Sequence, residues 1–348
     1  MQKGIIRRAA RAAVALVFLT TIDAGARGKA AVTSVIVDTD AGSDDLMAIA
    51  FLLARRDVRI EAVTVCNGLA HVNRGAHNVR RLLALAGQPA VPVYPGRATA
   101  LHRTAEFPDE WRRVSDELPG VTLPPAAADA PPGGAADYLT DRLASPRNPA
   151  RLLALGPLTN LGEALQRKPE IARVIERLVI MGGAVEAQGN LRDGGFFKTD
   201  NDTAEWNIFV DPLAAQLVFA AAIPTLLIPL DATNTVPITV PMLNRFSREA
   251  KTPLGRFVAE ILETDRPFIE KSLYYAWDPL AAVAFLDQSV VRTRRMALVV
   301  DRDPPHQGRT RAAAGSPTIE VAIDADAAAF ERIFTATLRE DRSTPSHP

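Results

Sequence analysis

Cysteine is nearly absent: Cys66 is the only one in 348 residues. A single thiol excludes an internal disulfide and any thiolate-cluster metal site. Histidine is scarce as well, and His71, His77, His102, His306 and His347 lack the spacing of a zinc site. Neither sign of charge is in excess, with 40 basic and 40 acidic side chains. There is no basic patch with interleaved aromatics, so nothing here would recruit a nucleic acid, although a nucleoside-sized ligand is compatible. Aromatic residues are only 6% of the chain, and three of them are tryptophans. No apolar run is long enough for a comfortable membrane-spanning helix.

Hydrophobic residues nevertheless make up 47% of the chain, enough for a substantial core. The first of them form AAVALVFLTTI, after Lys3, Arg7, Arg8 and Arg11 and before the small-x-small triplet Ala24-Gly25-Ala26. Charged region, short apolar core and small residues describe a secretory signal peptide over 1–26, hence export and no stable membrane association once it is removed.

From 32 onward, segments with strand and helix patterns alternate, and a single domain is expected over 32–342. A strand at 32–37 leads to a helix over about 43–54, with Ser43 placed to N-cap it. A strand at 60–65, a helix at 72–86 and a strand at 90–94 follow. Residues 95–136, rich in Pro, Ala and Gly, read as a long connection of the kind that forms lids. RLLALG, RLVIMGG and TLLIPLD read as further strands, 185–203 as an irregular insert, 241–290 as helical, and MALVVD and TIEVAI as late strands before a final helix. This predicts an α/β fold: a mostly parallel central sheet with helices on both faces. Ligands in such sheets bind outside the carboxyl ends of the strands, which places DTDAGSDD, LGPLTN, MGG and IPLD on one rim.

D-T-D-A-G-S-D-D at 38–45 is the densest chemistry in the chain, four carboxylates in eight positions. A solvated turn accounts for Asp44 and Asp45, which suit a first helical turn, but not for Asp38 and Asp40 at a strand end. An EF-hand fails, because its sixth loop position is Ser43 and its twelfth Ile49. A phosphatase using an aspartyl nucleophile is a nearer rival, yet Gly42 stands where that motif has Thr or Val. A hard divalent cation fits best: Asp40 and Asp45 are placed to fold around one ion, with Gly42 giving the tight turn between them.

V-I-V-D-T-D-A-G-S-D-D-L-M-A-I resembles the N-terminal signature of the inosine–uridine nucleoside hydrolase family. LALGPLTNLGEAL, VIMGGAVEAQGN, TAEWNIFVDPLAAQLV, PLDATNTVP and YYAWDPLAA resemble further family segments, in the right order. The resemblance implies one α/β domain that hydrolyses the N-glycosidic bond of ribonucleosides with one calcium ion. By matching positions it implies Asp40, Asp45, the Leu155 carbonyl and Asp278 as calcium ligands, with Asp40 also the general base. It implies Asp44, Asn67 and Asn207 as contacts of the ribose 2′ and 3′ side, Asn190 and Glu205 as contacts of the 5′-hydroxyl, and Asp38 as support beneath them. It also implies a homo-oligomer, dimer or tetramer.

Read from the residues alone, Glu205 and Asn207 flank Trp206, so strand alternation would put the two polar side chains on one face. Many family members that accept pyrimidines have His before the last metal Asp; here Trp277 stands there. YYAWD and F-P-D-E-W-R at 107–112 resemble the purine-preferring branch, in which two tryptophans sandwich the base, nominating Trp111 and Trp277. Stacked indoles favour a cationic, protonated purine and so ease its departure without a side-chain acid. The alternatives are a nonspecific or modified-nucleoside hydrolase, an aspartate-based phosphohydrolase, and a noncatalytic exported nucleoside-binding protein.

Overall fold

The computed structural model describes residues 32–102, 105–195 and 197–339. The expected signal segment and the last three positions of the expected domain lie outside them. Among the described residues nine strands form the sheet: β1 (Thr33–Thr39), β2 (Val58–Val65), β3 (Val93–Pro95), β4 (Ala150–Ala154), β5 (Ile175–Met181), β6 (Thr225–Ile228), β7 (Val291–Val300), β8 (Thr310–Ala312) and β9 (Thr318–Ala325). Their order is β3-β2-β1-β4-β5-β6-β9-β7-β8. From β3 to β9 every neighbouring pair is parallel, and β7 and β8 extend the edge antiparallel. Central strands such as VIV, LLA and VIM are unbroken apolar runs because both their faces are covered.

Strand order reverses between β1 and β4. Crossovers from β1 run outward through β2 and β3, and those from β4 run the other way. The two diverge at the carboxyl ends and leave a crevice there. The Leu155 amide, one residue past β4, donates to the Asp38 carbonyl at 2.8 Å, so the two strand ends are tied at the crevice floor.

One sheet face carries Ser43–Ala54, Pro253–Thr264, Trp277–Leu286 and Ala327–Arg339; the other carries Thr159–Arg167 and Pro212–Ala220. Every residue of the first helix from Asp44 to Leu53 is buried. It is apolar all round beyond its first turn because it lies between the sheet and other helices. Phe51 stacks on Phe334 at 5.6 Å across that layer.

Four local expectations are corrected. Ser43 is the first helical residue and Gly42 is the N-cap. The capping acceptor comes from inside the helix: Asp45 takes the Gly42 amide at 3.2 Å and the Asp40 amide at 3.1 Å. The turn does not use a glycine conformation either, since Ala41 carries the positive φ of 59° while Gly42 has φ −64°. A Cβ at Gly42 would meet Leu69 Cδ1 at 2.6 Å, so the Leu69 side chain would have to move aside. The connection after β3 contains a helix, Asp109–Glu117, whose charged composition hides the few positions it turns inward, Arg112 and Ser115. Finally, the segment around Trp206 is a short helix, Trp206–Val210, rather than an alternating strand. Its cause is Glu205, whose carboxylate accepts the Asn207 and Ile208 amides and starts a helical turn.

Candidate active site

A cavity of about 250 Å³ opens over the crevice between β1 and β4. Its floor is acidic. Asp40, Asp45 and Asp278 are at most 2% exposed and Asp44 is 8% exposed. Asp40 and Asp45 come from the β1 turn, and Asp278 from the start of Trp277–Leu286, which packs against the first helix.

Each carboxylate is held differently. Asp45 is locked by the Thr39 hydroxyl and by the Asp40 and Gly42 amides. The Leu69 amide donates to Asp40 Oδ2 at 2.8 Å. Gly68 and Gly156 give Asp40 its room: an added Cβ would meet its side chain at 2.0 Å and 2.8 Å respectively. Asp278 Oδ1 is buried without a hydrogen-bond partner among the described residues. Burial and mutual repulsion push the carboxyls of Asp40, Asp44 and Asp278 up, burial being the larger cause in each.

One oxygen each from Asp44, Asp45 and Asp278 can lie within 4.8 Å of one another. An all-oxygen set, buried, mutually repelling and with one carboxylate oxygen unpartnered, fits a hard divalent cation. Asp44 rather than Asp40 completes this trio; Asp40 is drawn toward Leu69 by its amide bond. Leu155 also lines the cavity, and its carbonyl accepts the Asn207 side-chain amide at 2.8 Å, which leaves a second lone pair.

Of the other expected site residues, Asn190, Glu205, Asn207, Trp111 and Trp277 all line the same cavity. Asn190 Oδ1 accepts the Trp206 amide at 3.2 Å. Glu205 also accepts the Gly183 amide at 2.9 Å, so three backbone donors fix its carboxylate, while burial pushes its pKa up. Trp111 meets Trp206 edge-on at 5.6 Å, and Trp206 stacks on Phe107 at 5.0 Å. Trp277 is braced edge-on by Tyr274 at 5.2 Å.

Two expected residues do not reach the lining. Asn67 is buried beneath it, where its Oδ1 accepts from Arg112 at 2.8 Å. Asp38 accepts from the Thr64 hydroxyl at 2.6 Å and from Asn160 at 2.7 Å, and burial pushes its carboxyl up to about 7. Asp38 therefore braces the strand end from behind. Sequence reasoning passed over Gly68, Gly156 and the group formed by Ser43, Tyr274 and Asp265. The Ser43 and Tyr274 hydroxyls lie 3.3 Å apart and hold down the Asp265 carboxyl, which burial still pushes up to about 6. All three line the cavity. Asp265 belongs to a helical stretch without a motif, so no local signal marked it.

A model of the inosine-uridine preferring nucleoside hydrolase family matches residues 35–332. A pyrimidine-specific ribonucleoside hydrolase, RihA of Salmonella typhi, is 33% identical over 229 residues, covering 66% of this chain and 70% of that protein. A purine-preferring ribonucleoside hydrolase from Gardnerella vaginalis superposes with a TM-score of 0.76 at 27% identity, over 88% of this chain and 98% of that one. A plant nucleoside hydrolase gives a TM-score of 0.77 at 26% identity, over 88% and 99%.

Proposed function

This chain belongs to the inosine-uridine preferring nucleoside hydrolase family, and on that premise we propose that it prefers purine nucleosides and uses one calcium ion. Hydrolysis of the N-glycosidic bond of ribonucleosides is the activity of the family. The relatives named above differ in the base they take, so the preference has to come from this chain's own cavity. The observation that carries it is the pair Trp111 and Trp277 in one cavity, with Trp277 immediately before Asp278 and no histidine among the described lining residues.

Asp45, Asp278 and the Leu155 carbonyl would hold the cation, with Asp44 completing the group of oxygens that already meet and Asp40 turning its second oxygen to the same ion. When bound, it supplies positive charge that orients a ribose diol and acidifies a water. Asp40, kept basic by its acidic neighbours and aimed by the Leu69 amide, takes the proton of the attacking water. Asp44 and Asn207 bind the ribose hydroxyls, and Asn190 marks the 5′ end. As the C1′–N bond lengthens, positive charge builds on the sugar and the floor carboxylates stabilise it. The indoles favour the base as it gathers a proton from solvent.

Inosine turnover should exceed uridine turnover by at least tenfold in kcat/KM, measured by chromatography of the released base; equal values would remove the purine preference. Export and assembly into a dimer or tetramer belong to the same proposal. N-terminal sequencing of the exported protein and light scattering test them.

A further inference from the structure

Beyond the four carboxylates that the reaction uses and Glu205, which backbone amides hold, three more line the cavity among the described residues. Glu110 and Asp193 stand at its mouth, both exposed, on the Asp109–Glu117 helix and in the insert after β5. Asp265 sits deeper, and its Oδ2 is buried without a hydrogen-bond partner among the described residues. No arginine, lysine or histidine lines the cavity among the described residues. Two basic groups on the same segments are already paired, Arg112 with Glu106 at 2.9 Å and Arg192 with Asp202 at 3.4 Å. One divalent cation on the floor offsets only two of the negative charges. The same cavity is lined by the aromatic side chains of Trp111, Trp206, Trp277 and Phe268.

Aromatic faces backed by carboxylates, with no competing cation, form the surroundings that recognise a fixed positive charge. The missing side-chain acid points the same way. A base that already carries its charge needs no proton to leave. We infer that the cavity selects nucleosides whose base bears a permanent positive charge, N7-alkylated purine ribonucleosides being the class that suits both the charge and the aromatic walls. This rests on the proposed nucleosidase reading and specifies its substrate class.

The test compares kcat/KM for 7-methylguanosine and guanosine with the calcium-loaded protein, in the parent and in Glu110→Gln, Asp193→Asn and Asp265→Asn. The methylated substrate is intrinsically more labile, but that factor is the same for every variant and cancels when their ratios are compared. The ratio should fall about two- to fivefold for each rim carboxylate neutralised, the worth of a partly exposed charge pair. It should hold in Glu110→Asp and Asp193→Glu. Raising the salt concentration should lower it in the parent itself, a readout that needs no variant to fold. A ratio unmoved by neutralisation and by salt overturns the inference while leaving the nucleosidase reading intact. If neither substrate releases base, that reading fails and this inference with it.

Discussion

Asp40 stands between two glycines, and its position depends on their lacking side chains. Gly68→Ala would put a methyl 2.0 Å from Asp40 Oδ2, so the carboxylate must turn away. This variant should lose base release nearly as completely as Asp40→Ala, about a hundred- to ten-thousandfold, the usual worth of a general base. Circular dichroism should show both still folded. A Gly68→Ala protein of normal activity would mean that Asp40 is not the base. Trp277 permits a sharper comparison. Trp277→Ala should slow inosine more than it slows a nucleoside with an activated leaving group, since only the former needs help with its base. Equal slowing would make Trp277 a wall of the cavity and nothing more.

At the scale of elements, the five-residue helix Trp206–Val210 has no length to sustain itself. It exists because Glu205 gathers three backbone amides, from Gly183, Asn207 and Ile208. That same turn points the Asn207 amide at the Leu155 carbonyl. Glu205→Ala should therefore cost about 1–3 kcal/mol in urea unfolding, because buried donors are left without a partner. It should also raise KM, because Asn207 is released with the turn. Strand alternation and a helix cap both turn residues 205 and 207 toward one cavity, so the sequence pattern gives their common direction for a wrong local reason. The Asp109–Glu117 helix was hidden for a different cause. Its inward residues are Arg112, which donates to Asn67, and Ser115, polar groups that apolar periodicity cannot register.

At the scale of the whole molecule, acid buried at the crevice floor sets how stability depends on pH. Burial raises the folded-state pKa of Asp38 to about 7 from an ordinary 3.8, and pushes up Asp40, Asp44 and Asp278 as well. A raised folded pKa means that the folded chain holds more protons than the unfolded chain. Its contribution is complete below about pH 4 and is lost as pH rises through about 7. The melting temperature of chelated protein should thus fall between pH 5 and pH 8. A calcium ion held as proposed would meet the ionised carboxylates, so its stabilising effect should be larger at pH 8 than at pH 5. Scanning calorimetry with and without chelator at both values checks this; a calcium effect independent of pH would place the ion elsewhere. The same charge should exclude 5′-phosphorylated nucleosides, for which the described lining offers no cation.

The sequence by itself determined the alternation of strands and helices, the acidic turn at 38–45 and the order of its motifs. Each of these is local, written in periodicity and short-range spacing. It also placed the expected crevice, since parallel strands put their loops on one rim. Only the tertiary structure decided the rest. Strand order put β1 beside β4, and so put Leu155 against Asp38. Packing of Trp277–Leu286 on the first helix brought Asp278 to Asp44 and Asp45. The fold drew Asn67 beneath the site, and set Asp265 into its wall. Such meetings join residues far apart in the chain. They are governed by which surfaces bury one another, and no local pattern records that.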